Sequence, residues 1–272
     1  MDYTPRVRKP GGATPQPGLV IEPGQENDRE GLDAAAWVRE KLGFEPDGAQ
    51  ERVLVSGSVR GILNCTRQWG KSTIAAAKAV HQAYTGEESL TLVASPSGRQ
   101  SAELVRKAEE FAKRLGIRTK GDGQNEISLE FANGARIVGL PENETTIRGF
   151  SSVALLLIDE ASRVSDDVYR AIRPMLAVSE GGLWLMSTPC GKRGFFYEAW
   201  EHGGREWTRV RVTAEECPRI SRAYLEEERN VLGDLWFRQE YLCEFVDSVN
   251  GIFDRDLIEA AMRDEVKPLV IR

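Results

Sequence analysis

The sequence predicts an α/β fold, a mostly parallel β-sheet with helices on both faces. Three observations lead there. Strand-like apolar runs alternate with helix-like amphipathic runs through most of the chain. Some of those strands, VALLLIDE and GLWLMSTP among them, are apolar almost throughout, as in a parallel sheet covered on both sides. Three polar motifs, GKST, DE and STP, each follow such a strand, and open parallel sheets carry ligands beyond those strand ends.

The elements follow in order. Residues 1 to 29 are rich in Pro and Gly, lack apolar periodicity and are expected to form a flexible tail. LDAAAWVREKL places Leu32, Ala35, Val38 and Leu42 on one helical face, opening a core expected over residues 30–220. FEPDGAQERVLV reads as a loop and then a helix that Asp47 caps. VRGILNC is a buried strand running into GKST, and STIAAAKAVHQAY is the helix that this loop opens. LTLVASP is a strand and SAELVRKAEEFAKRL a long amphipathic helix. ISLEFANGARIVGL is two strands joined by Asn133-Gly134, a strong hairpin signal. VALLLIDE, the helix DDVYRAIRPML, GLWLMSTP and the edge strand WTRVRV follow. SRAYLEEERNVL and DLWFRQEYLCEF read as helices, and residues 247–272 as a linker with one short helix. No internal repeat is visible.

Composition excludes several functions. The net charge of −6 argues against a chain coated in basic residues for tight nucleic-acid binding, though it leaves room for a local basic patch. His81 and His202 leave little room for His-rich metal chemistry or a Ser-His-Asp triad. The cysteines are scattered with no C-x-x-C pair, which fits a reducing cytoplasm. No apolar run reaches the ~20 residues of a membrane span, and the N-terminus lacks a signal peptide's apolar stretch.

CTRQWGKST is close to the phosphate-binding pattern G-x-x-x-x-G-K-[ST], with Cys65 in place of the first glycine. Backbone N–H groups at a helix start attract phosphate oxygens. Lys71 would reach the β- and γ-phosphates and Ser72 would bind Mg²⁺, with Thr73 the adjacent hydroxyl. The bland alternative is a chance GK[ST]. Asp159 is a candidate Mg²⁺ ligand and Glu160 a candidate base for the attacking water; otherwise they are a solvated strand end or helix cap. Thr188, in Ser187-Thr188-Pro189, could sense the γ-phosphate or simply end a strand. Arg67 and Arg148 could stabilise charge in the transition state or lie solvated on the surface. Gln50 and Phe44 could read and stack an adenine, or be a helix-surface residue and a core aromatic.

Taken together, these residues resemble the ATPase domain of the large terminase subunit, the motor that packages DNA into tailed-phage and herpesvirus capsids. FEPDGAQ resembles the adenine-recognition segment, with Gln50 as its glutamine. TRQWGKST resembles that family's irregular Walker A loop, and so implies nucleotide contacts from Arg67, Gln68, Trp69, Gly70, Lys71, Ser72 and Thr73. LLLIDEA resembles its Walker B strand, with Glu160 as catalytic glutamate, and WLMSTP its coupling motif, centred on Thr188. TIRGFS resembles a loop that gives an arginine, here Arg148, to a neighbouring subunit. EYLCEFVDSVNGIF resembles the lid and linker before a second domain.

The resemblance implies an ASCE-type P-loop NTPase with a small helical lid at residues 221–246, using ATP and Mg²⁺. It implies a homo-oligomeric ring acting on double-stranded DNA in the host bacterial cytoplasm, with portal protein and small terminase subunit as partners. Basic loops carrying Arg205, Arg209 and Arg211 are candidates to face the DNA. Family members usually continue into a nuclease built on clustered carboxylates. Asp247, Asp254, Asp256, Glu259 and Asp264 lie on the linker and its helix with no strands to hold them, so no nuclease site is expected here. Two rivals stand beside this reading. One is an SF2-like helicase or translocase fragment, which would need a second RecA-like domain. The other is an ATP-binding scaffold with little hydrolysis, whose specific activity would not rise on assembly.

Overall fold

The structure is a computed structural model that describes residues 33–141 and 149–246. The expected tail at residues 1–29, the linker at 247–272 with Asp247, Asp254, Asp256, Glu259 and Asp264, and Arg148 lie outside the described residues.

Asp33 caps a first helix, α1 (Ala34–Trp37), that continues as a π-turn over Val38–Leu42. Ala35, Val38 and Leu42 are buried, as the spacing required. Helix α2 (Gly48–Val55) starts with a capping box: the Asp47 carboxylate accepts from Gln50 N, and Gln50 Oε1 accepts from Asp47 N. Strand β1 (Arg60–Cys65), α3 (Lys71–Thr85), β2 (Leu90–Ala94) and α4 (Gly98–Arg114) follow. β3 (Ser128–Glu130) and β4 (Arg136–Gly139) form the antiparallel hairpin across Asn133-Gly134. Then come β5 (Val153–Asp159), α5 (Asp166–Ile172) and β6 (Gly182–Ser187). Helix α6 (Gly194–His202) precedes β7 (Trp207–Val212), and α7 (Arg222–Leu232) and α8 (Asp234–Glu240) close the described chain.

Two elements differ from the sequence reading. The reading passes over α6, which starts with no side-chain cap after glycine-rich CGKRG and buries only Phe195, Phe196 and Ala199. Helix α8 stops at Glu240, short of the expected DLWFRQEYLCEF, and Cys243 then turns left-handed at φ 56°.

The strands form one sheet in the order β3-β4-β2-β5-β6-β1-β7. Among the described strands, β3–β4 pair antiparallel and the other neighbours pair parallel. β7 lies at the edge, as expected. Alternate residues of each strand supply two cores. Leu63, Val93, Leu157, Trp184 and Val210 face α1 to α4; Ile62, Leu92, Leu156 and Leu185 face α5 and α6. Trp184 lies flat on Gly61, where an added Cβ would sit 2.3 Å from its ring. A third, small cluster of Ala214, Leu225, Phe237 and Tyr241 holds α7 and α8 together.

The topology sets up the site. β6 lies between β1 and β5, and the parallel register pairs Asn64 with Ser187 and Asp159 with Met186. The three strands therefore end level, and the turns after them share one edge.

Candidate nucleotide site

The phosphate-binding loop is built without its first glycine because residue 65 is not in the turn. Cys65 is still extended in β1, paired with Val212 and fully buried. The tight turns fall later, at Gln68 (φ 63°) and Gly70 (φ 104°), which caps α3. Both conformations are left-handed, where a glycine costs nothing. Gln50 and Arg219 steady this turn. Gln50 Nε2 donates to Trp69 O at 3.0 Å, Arg219 Nη2 donates to the same oxygen, and Arg219 Nε donates to Gln68 O at 3.3 Å.

Lys71 is 7% exposed. Its Nζ donates to Cys65 O at 2.8 Å and Thr66 O at 2.9 Å, so the ammonium lies across its own loop. Ser72 Oγ donates to Asp159 Oδ2 at 3.0 Å, across 87 residues of chain. Burial, then the Glu160 charge, holds the Asp159 carboxyl above its ordinary range, against the Ser72 hydrogen bond and the Lys71 charge. A buried carboxylate beside a serine hydroxyl at the start of a helix is a fitting donor set for Mg²⁺, whose charge would favour the ionised acid.

Glu160 stands in left-handed backbone (φ 50°, ψ 41°) at the start of a 3₁₀ turn, Ala161–Arg163. Its carboxylate accepts from Arg163 Nη1 at 3.0 Å. Thr188 is fully buried, and its Oγ1 accepts from the same Nη1 at 3.2 Å. Ser162 Oγ joins Ser187 Oγ and Thr188 O, each at 2.7 Å. Arg67 Nε donates to Glu240 Oε2 at 2.7 Å, which holds its guanidinium charged.

The structure thus brings Arg67, Lys71, Ser72, Asp159, Glu160 and Thr188 to one edge of the sheet. It uses other expected residues differently. Trp69 offers the loop only its backbone, since its indole is 1% exposed inside the core. Thr73 turns to α4 and accepts from Lys107 Nζ at 3.3 Å. Each end of the Gln50 amide makes one hydrogen bond within the protein, Oε1 accepting from Asp47 N and Nε2 donating to Trp69 O, and each end has the capacity for a second. Phe44 is half-buried, stacked on Phe111 at the margin of the core. Arg209 caps α6 through the carbonyls of Ala199, Trp200 and Gly204, which removes it as a free contact for DNA. Arg211 donates to Leu242 O at 2.6 Å, and Arg205 is exposed.

Sequence reasoning missed Arg163, Arg219 and Glu240. An arginine three residues after a catalytic-type glutamate was a readable signal for Arg163. Nothing local marks Arg219 or Glu240, which arrive from more than a hundred residues beyond the loop.

With this geometry in place, the comparisons are specific. The family model for the terminase large subunit, T4likevirus-type, N-terminal, matches residues 62–260. The chain belongs to this terminase family. It is 26% identical over 253 residues to the terminase large subunit of Thermus virus P23-45, covering 79% of this chain and 51% of that protein. It is 27% identical over 151 residues to that of Escherichia phage T5, covering 52% of this chain and 34% of that protein. The chain therefore spans about half the length of its Thermus-phage relative. In fold it is similar to the large terminase ATPase domain of Thermus phage P74-26, with TM-score 0.70, 23% identity, and coverage of 79% of this chain and 100% of that one. It is also similar to a thermophilic bacteriophage's large terminase solved with ADP, with TM-score 0.61, 14% identity, and coverage of 79% and 52%. The mostly parallel seven-stranded sheet of this terminase chain is thus the fold of that ATPase domain.

Proposed function

We propose that this terminase chain is the ATPase motor that drives double-stranded DNA into a procapsid. The observation that carries the reading is the 3.0 Å contact between Ser72 and Asp159, with Lys71 held beside them. Lys71 leaves the carbonyls of Cys65 and Thr66 for the β- and γ-phosphates. Ser72 and Asp159 would hold Mg²⁺, which when bound would supply positive charge against those phosphates. Glu160 takes a proton from the attacking water. Either Arg67, exchanging Glu240 for the developing charge, or Arg148, from across a subunit boundary, stabilises the transition state. Thr188, bonded through Arg163 to Glu240, passes γ-phosphate loss to α7 and α8, which serve as the lid.

DNA is gripped by phosphate contacts, because a packaging motor must be indifferent to sequence. The assembly is a ring in the host cytoplasm with portal protein and small subunit, in line with the family.

Steady-state ATP hydrolysis tests this directly. Glu160→Gln is expected to lose roughly 10²- to 10⁴-fold in kcat while still binding nucleotide. Lys71→Ala is expected to lose both turnover and binding. Wild-type turnover in Lys71→Ala would remove the site assignment.

A further inference from the structure

Arg163 has no role in the residue set expected from the sequence, yet its guanidinium is where the site's separate parts meet. Nη1 donates to Glu160 Oε2 at 3.0 Å and to Thr188 Oγ1 at 3.2 Å. Nη2 donates to Glu240 Oε1 at 3.0 Å, at the end of α8. The other oxygen of Glu240 takes Arg67 from the phosphate loop. The side chain of Arg163 is 28% exposed and that of Glu240 only 9%, so water replaces these contacts poorly.

Glu160 needs such a partner. Its left-handed backbone lies outside any regular element, so strand and helix geometry do not aim its carboxylate. A general base works only within hydrogen-bond reach of the water it deprotonates. Whatever holds the carboxylate therefore controls the rate. A guanidinium is a rigid planar fork, so Glu240 or Thr188 cannot shift without turning the face that Glu160 grips.

We propose that Arg163 is a positioning residue: one guanidinium ties Glu160, Thr188 and Glu240 together, so the turn after β6 and the end of α8 jointly aim the catalytic carboxylate. The proposal rests on Glu160 being the general base of ATP hydrolysis.

The test uses the full chain and a fluorescent ATP analogue, with kcat normalised to analogue-binding stoichiometry. Arg163→Ala should lower kcat roughly 10- to 100-fold, with KM and analogue Kd within about threefold of wild type. Arg163→Lys, which keeps the charge but not the fork, should fall between the two. In the Arg163→Ala/Glu240→Gln double variant, the losses should not multiply, because both act through one guanidinium.

Three results overturn the proposal: wild-type kcat in Arg163→Ala; a loss confined to KM and Kd; or losses that multiply fully in the double variant. If Arg163→Ala fails to fold, wild-type kcat in Arg163→Lys overturns it equally. Lys71→Ala and Glu160→Gln, run alongside, separate the two claims. Full turnover in both sinks the hydrolytic reading itself, whereas inactive controls beside a fully active Arg163→Ala sink only this proposal.

Discussion

The two halves of the site are held in different ways. The phosphate loop is held at its backbone carbonyls: Lys71 donates to those of Cys65 and Thr66, and Gln50 and Arg219 donate to that of Trp69. The carboxylate half is held by side chains: Arg163, three residues beyond Glu160, and through it Thr188 and Glu240 from farther along the chain. A half built on backbone is a fixed cradle. A half built on a chain of charge-assisted hydrogen bonds has more than one arrangement within reach, because each partner can exchange for a phosphate or for water. The difference fits the proposal that the first half binds and the second couples.

Two changes break or sharpen that contrast. The larger effect is expected from Gly70→Ala. At φ 104° a side chain is strained, and its Cβ would meet Gln50 Nε2 at 3.1 Å. The strain is about 1–2 kcal/mol, and equilibrium binding should show nucleotide affinity falling about tenfold or more. If the cradle is as fixed as described, no lid-side substitution should restore that binding. Unchanged affinity would make the loop adaptable and remove the contrast.

A smaller effect is expected from Lys78→Met, on the helix behind the cradle. Lys78 donates to Val53 O at 3.3 Å and lies 4.5 Å over the Trp184 ring, and burial lowers its pKa from 10.5 to about 8. Below pH 8 both folded and unfolded chains hold the proton, so the cost of burying the charge is fully present. Between pH 8 and 10.5 the unfolded chain binds more protons, so wild-type stability rises with pH. Lys78→Met should therefore be more stable by about 1–2 kcal/mol at pH 7. That margin should shrink toward pH 10.5, and KM for ATP should not change. Denaturant melts at several pH values check it; a margin independent of pH contradicts it.

The same contrast explains what was legible in the sequence. The strands, the hairpin at Asn133-Gly134 and the Asp47 cap rest on local pattern, and all are found where expected. So is the cradle, because GKST is a contiguous run placed between a strand and a helix. The side-chain half was legible only at its ends, Asp159, Glu160 and Thr188. Its link through Glu240 was not, since that residue reaches Arg163 across 77 residues and Arg67 across 173. Gln50 and Trp69 also serve the fold, since helix capping engages the one side chain and core packing the other. Helix α6 escaped because it lacks a cap signal and its apolar face is short.

The central claim is that the turns after β1 and β5 converge on one magnesium-bound triphosphate. Equilibrium binding of a non-hydrolysable ATP analogue, titrated with Mg²⁺, measures this most directly in wild type, Lys71→Ala and Asp159→Asn. The account predicts that Lys71→Ala weakens binding with and without the metal. It predicts that Asp159→Asn abolishes only the part of the affinity that Mg²⁺ adds. An Asp159→Asn protein that keeps the wild-type dependence on Mg²⁺ would contradict it.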